Sequence, residues 1–161
     1  MVARANRLAP RPRSGTSRAP ILPSNVTTSG PELARGLLDL LDSIDEPVSI
    51  GVAIRDRDGR ILDFRLDFVN QAAADWAGVP RASMVGLITG DLLPDFRSGG
   101  FFDTLREVVE SGMPYEQVGV MAADAVTGGQ WIGGMYDMRA MRLGDGYLST
   151  WRRQAATPPP D

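Results

Sequence analysis

The run Val48-Ser49-Ile50-Gly51-Val52-Ala53-Ile54, then Arg55-Asp56-Arg57-Asp58-Gly59-Arg60, then Ile61-Leu62-Asp63-Phe64-Arg65-Leu66-Asp67-Phe68-Val69-Asn70 holds two alternating segments around an acidic turn. In the first segment the apolar residues fall on the even positions. In the second, Leu62, Phe64, Leu66 and Phe68 share one parity, and Asp63, Arg65 and Asp67 share the other. This pattern predicts a hairpin with one dry and one wet face. Gly59 suits the turn because it reaches positive φ without a Cβ clash. Asn70 suits the N-cap of a helix over 71–77, and Gly78 its C-terminal stop.

Downstream, Pro80, Gly86, Gly90, Pro94, Gly99 and Gly100 divide the chain into short pieces, with short helices expected around Arg81–Val85 and Asp91–Leu93. A firmer helix is expected from Phe101 to Ser111, with Phe101, Leu105, Val108 and Val109 on one side and Gly112 and Pro114 as its stop. Strands are expected over Tyr115–Met121, Trp131–Leu143 and Tyr147–Trp151, with a loop around Asp124–Gly129. Ile132, Tyr136, Met138 and Ala140 share a parity, and Gly133-Gly134 marks a bulge or a close backbone approach. Strands at both ends with helices between them indicate an α+β fold, a five-stranded antiparallel sheet with helices on one face.

Upstream, Ser29 and Glu32 have capping-box spacing and open a helix whose Leu33, Leu37, Leu40, Leu41 and Ile44 form one apolar stripe. Two uses fit that stripe: covering an open sheet face, or pairing with its copy in a second subunit. Residues 1–30 differ in composition, with five arginines, no acid and four prolines. They are expected to be a disordered arm, and the Pro-rich 153–161 a second tail, around a single domain over 31–152. Residues 31–161 carry twelve arginines against twenty acids, a net charge of −8. A basic arm could meet nucleic acid, but the acidic body opposes that and no aromatic interleaves the arginines, so no nucleic-acid partner is expected.

Composition removes whole classes of chemistry. The chain has no Cys and no His, and all seventeen of its basic residues are Arg. Zinc and iron–sulfur sites, His- or Cys-ligated haem, a covalent flavin–cysteine adduct, Ser–His–Asp catalysis and a Schiff-base Lys are all excluded. Carboxylate acid–base chemistry and a hard metal held by oxygens stay open. No apolar run approaches the ~20 residues of a membrane helix. The N-terminus has arginines without an apolar h-region, so a cytoplasmic protein is expected.

The order of these elements resembles a PAS domain over Leu38–Trp151. The resemblance is carried by Asp58-Gly59-Arg60-Ile61, by Phe68-Val69-Asn70-Gln71-Ala72-Ala73, by Gly78 and by Leu92-Leu93-Pro94. It continues through Phe102 to Glu110-Ser111-Gly112 and ends with Arg139-Ala140, Leu143-Gly144-Asp145-Gly146 and Trp151. The later half is most similar to bacterial PAS domains that precede diguanylate cyclases, histidine kinases or serine phosphatases. Such domains commonly close on an Asp-x-Thr-like motif, and here Arg153 stands where the Asp would be.

The resemblance implies a stand-alone sensory or protein-interaction module rather than an enzyme. It implies a homodimer through Leu33, Leu37, Leu40 and Leu41, read by a separate effector protein through a shift in population. A non-covalent small molecule (a flavin, a fatty acid or an apolar metabolite) would lie between sheet and helices, lined by Phe68, Asn70, Trp76, Leu92, Phe102, Tyr136, Met138 and Trp151. Each of these also fits plain core packing, and Asn70 a plain helix cap. The competing reading is a small cone-shaped enzyme with a buried carboxylate base, Asp137 beside Tyr136. Adjacent strand residues face opposite sides, which separates that pair unless a bulge intervenes.

Overall fold

The computed structural model describes residues 29–155, so the expected Arg-rich arm and most of the Pro-rich tail lie outside the described residues. The elements run α1 (Gly30–Asp42), β1 (Val48–Arg55), β2 (Ile61–Val69), α2 (Gln71–Ala77), α3 (Arg81–Met84) and α4 (Thr89–Leu92). A 3₁₀ turn (Pro94–Phe96), α5 (Phe101–Ser111), β3 (Tyr115–Ala125), β4 (Trp131–Arg142) and β5 (Gly146–Arg153) complete them. The five strands form one antiparallel sheet in the order β2-β1-β5-β4-β3, with α2 to α5 against one face.

The local signals act as expected. The Asp56 carboxylate accepts from the Asp58 and Arg60 N–H groups at 2.9 Å each, and Gly59 takes φ +82°, so the β1–β2 turn is held from inside. Asn70 caps α2 through the Ala73 N–H, and Gly78 at φ +68° ends it. Glu32 accepts from both the backbone N–H and the hydroxyl of Ser29 at the start of α1, which lowers its pKa. β3 runs four residues beyond the expected Met121, into the stretch expected to be loop.

The hairpin departs from its expected alternation. Register shifts fall between Ile50 and Gly51 and between Ile54 and Arg55, opposite Asp67 and Leu62. Each inserts an extra residue into β2, and each reverses the parity beyond it. Leu62 is therefore 52% exposed while Asp63 is 2% exposed, bonded by Arg97 and the Gly90 N–H.

In β1 the helix-facing residues are the small ones, Ser49, Gly51 and Ala53, and the apolar even residues turn to the open face. The physical reason is Tyr147 in the neighbouring β5. Its ring lies on Gly51, where a Cβ would stand 2.5 Å from a ring carbon. A larger residue at 51 would displace that ring.

Two clusters of buried side chains make the core. One gathers Leu66, Val69, Ala73, Ala77, Met84 and Ile132 under α2 and α3. The other gathers Phe64, Phe96, Leu105, Val109 and Tyr147 under α5. Leu93 touches both.

α1 stands apart, with no buried residue although it carries five leucines. Its stripe does not cover the open sheet face. Among the described residues, no helix is long and apolar enough to cross a membrane.

Candidate functional site

Between the two core clusters lies a cavity of about 330 Å³. Leu66, Trp76, Leu92 and Ile132 wall it from the first cluster, and Phe96 and Phe101 from the second. Its floor is the inner face of β1 and β5, where Ser49 and Ser149 pair their hydroxyls at 2.9 Å. The space exists because these central strands present small residues where other positions carry large ones. The mouth lies between β3 and the turn before α5, where Asp95 and Gly99 are exposed.

Polar groups are few and specific. Tyr147 is buried, with its hydroxyl beside Thr89 and Ser49. Asp124, 8% exposed, accepts from the Asp95 N–H at 3.2 Å and holds the mouth together. Among the described residues, no basic side chain lines the cavity. Trp76 Nε1–H donates to the Tyr136 hydroxyl at 3.2 Å. The indole of Trp151 packs edge-on against Trp76 with ring centroids 4.9 Å apart, and its buried Nε1–H meets no acceptor among the described residues.

Of the eight residues expected to meet a ligand, the fold brings Trp76, Leu92, Met138 and Trp151 to the cavity. The other four lie elsewhere. Phe68 follows the β2 bulge and pairs with Ile50, outside both core clusters, with the Arg81 guanidinium over its ring at 5.3 Å. Asn70 is fully enclosed by backbone it hydrogen-bonds. Phe102 packs on Phe64 and Phe96 within the α5 cluster. Tyr136 is 2% exposed, sealed beneath Trp76.

Sequence reasoning passed over Ser49, Thr89, Tyr147 and Ser149. The one available signal was the unbroken small parity Ser49-Gly51-Ala53 in a strand otherwise rich in branched residues.

Asp137 and Tyr136 point to opposite faces. Asp137 sits on the open side of the sheet, where Arg152, Gln154 and the Gly119 N–H all bind its carboxylate. The Arg152 guanidinium foremost holds its pKa below the ordinary carboxylate range. A base buried in an apolar cavity needs the opposite environment. The groove there, about 110 Å³, is lined by charges already paired: Arg152 with Asp137 and Arg139 with Glu116.

Burial pushes the Tyr147 phenol up to about 12. The unfolded chain loses this proton near pH ~10, but the folded one holds it until higher pH. The stability from this group is therefore complete below pH ~10 and drains away as pH rises through the folded value, by about 3 kcal/mol. Denaturation midpoints between pH 9 and 12 should fall more steeply for the wild type than for Tyr147→Phe. Equal slopes would show that the phenol does not control alkaline stability.

An antiparallel α+β sheet with helices on one face and a ligand-sized apolar cavity beneath them defines the class. A family model described as PAS fold matches residues 46–148, and the chain belongs to that family. No curated protein sequence matches the chain.

Among solved structures, a domain of the sensory box sensor histidine kinase/response regulator from Geobacter sulfurreducens is 19% identical. The match covers 80% of this chain and 99% of that one, with a TM-score of 0.50. The PAS domain of a protein from Colwellia psychrerythraea is 13% identical over 76% of this chain and 97% of its own, at a TM-score of 0.50. A PAS domain from a two-component sensor histidine kinase is 11% identical over 78% of this chain and all of its own, at 0.51. At these identities the likeness is one of fold.

Proposed function

We propose that this chain is a sensory or protein-interaction module of cytoplasmic signal transduction. It binds a small apolar molecule in the cavity and passes the change to a dimer interface on α1, which an effector reads. The observation that carries this reading is that one short helix serves both places. Trp76 at the end of α2 walls the cavity. Asn70 at its start donates to the carbonyls of Leu41, Ile44 and Glu46, at the end of α1 and just beyond it. Gln71 N–H and Arg81 both bind Asp42 of α1, adding to the same junction. A ligand that moves Trp76 moves the seat of α1, and differential affinity for two seats is what shifts a population.

α1 itself calls for a second copy. Leu33, Leu37 and Leu40 follow the 4-3 spacing of a coiled-coil seam and are 54%, 52% and 59% exposed. Leu41 is turned to the domain instead. A helix of 13 residues is marginal alone in water, so pairing along this seam stabilises it.

Native mass spectrometry of the chain purified from its own host tests both halves. A dimer carrying a retained small molecule is expected. The double substitution Leu37→Glu and Leu40→Glu should give a monomer that keeps the molecule. A wild-type monomer would overturn the dimer reading, and a wild-type chain that never carries or takes up an apolar molecule would overturn the sensor reading.

A further inference from the structure

Resting on the cavity reading above, we infer that the ligand is an uncharged apolar molecule bearing a hydrogen-bond acceptor, of the carbonyl type, received by the indole N–H of Trp151. Three observations converge on this chemistry. The two indoles at the cavity are placed alike and satisfied differently: Trp76 Nε1–H reaches the Tyr136 hydroxyl at 3.2 Å, whereas the buried Trp151 Nε1–H has no protein acceptor among the described residues. Trp151 lines the cavity, and a ligand that shifts the wall over this covered nitrogen would supply the acceptor it lacks. A tryptophan N–H only donates, so the group it receives must accept.

The remaining polar groups say what that acceptor is not. Ser49 and Ser149 are engaged with each other, and the Thr89 hydroxyl donates to the Phe64 carbonyl. Among the described residues, the charged ones at the cavity are both acids, Asp95 and Asp124, and no arginine lines it. An anion would be desolvated without a counter-charge and would face two carboxylates at the mouth. A fatty-acid carboxylate or a phosphate tail therefore fits poorly, and a neutral ketone, amide or ester carbonyl fits. The aromatic edges of Trp76, Trp151, Phe96 and Phe101 favour a ring-bearing molecule. A volume of about 330 Å³ is at the small end for ligand pockets and suits two fused rings rather than a large cofactor.

Three naphthalenes of one shape make the test: acetylnaphthalene with a neutral carbonyl, ethylnaphthalene without it, and naphthoate with a charge. They are titrated into the full chain, labelled with ¹⁵N at its indoles, by NMR. The ketone is expected to bind about tenfold more tightly than the hydrocarbon, as one hydrogen bond to an otherwise unpaired buried donor implies, and naphthoate more weakly than either. The assigned Trp151 indole N–H resonance should move downfield with the ketone and stay with the hydrocarbon. Trp151→Phe should remove the ketone's advantage over the hydrocarbon. Should that variant fail to fold, the wild-type indole shift decides alone. Equal binding of ketone and hydrocarbon with an unmoved indole overturns the inference but keeps the cavity reading. Saturable binding by neither overturns both.

Discussion

Asn70→Ala is expected to destabilise the domain by about 3–5 kcal/mol, the range in which a broken buried hydrogen-bond network falls. The residue is 0% exposed. Its Oδ1 accepts from the Ala73 and Val48 N–H groups at 2.9 Å each, and its Nδ2 donates to the carbonyls of Leu41, Ile44 and Glu46 at 3.2, 3.1 and 2.8 Å. A cap alone is worth about 1 kcal/mol. The excess comes from the Val48 N–H and the three carbonyls, which alanine would leave buried or drive apart. Asn70→Ser should recover the cap but not the junction, and Asn70→Asp should be as harmful as alanine because it sets a carboxylate against three carbonyl oxygens. Urea midpoints measure the size, and hydrogen exchange in α1 measures the undocking. A loss for alanine near 1 kcal/mol with α1 unchanged would reduce Asn70 to an ordinary cap and break the proposed link between cavity and dimer seam.

Phe64→Ala should cost a similar amount, about 3–5 kcal/mol, for a different reason. Phe64 is 0% exposed, meets Tyr147 edge-on with centroids 5.0 Å apart, and lies 6.0 Å from Phe102. It is the hinge of the α5 cluster, and its removal leaves both rings without a neighbour on that side. Phe64→Leu keeps most of the volume and should cost under about 1.5 kcal/mol. Because Tyr147 also floors the cavity, alanine at 64 should weaken acetylnaphthalene binding as well as stability, while leucine leaves it near wild type. A loss below 1.5 kcal/mol for alanine would mean that α5 collapses freely onto the sheet, contrary to the tight two-cluster core.

Much of the architecture could be read residue by residue before folding. The Asp56–Gly59 turn, the Asn70 cap, the Gly78 and Gly112 stops and the inward parity of β4 depend on a few neighbours in the chain, and they stand where local chemistry put them. Four of the eight residues expected to meet a ligand come to the cavity for the same reason: Trp76, Leu92, Met138 and Trp151 sit on elements of simple periodicity.

Phe68 is the instructive exception. It shares a parity with Phe64 and Leu66 in sequence, and one extra residue at Asp67 sends it to the other face. The sequence alone gives no sign of that bulge, because its cause is the register of β1 against β2 and not any residue within the run.

The chemistry that is absent was settled by composition: without Cys, His or Lys, no folding can supply their ligands or nucleophiles. The kinds of element and their order were likewise settled by caps, turns and periodicity, since those act over a few residues. Tertiary packing decided the rest. It chose which face of β1 meets the helices, because the Tyr147 ring needs Gly51 beneath it. It also chose which leucines of α1 stay outside, and it left a cavity where Ser49 and Ser149 meet from strands a hundred residues apart. A void is defined by side chains that do not reach it, and that depends on distant elements brought together rather than on any one stretch of chain.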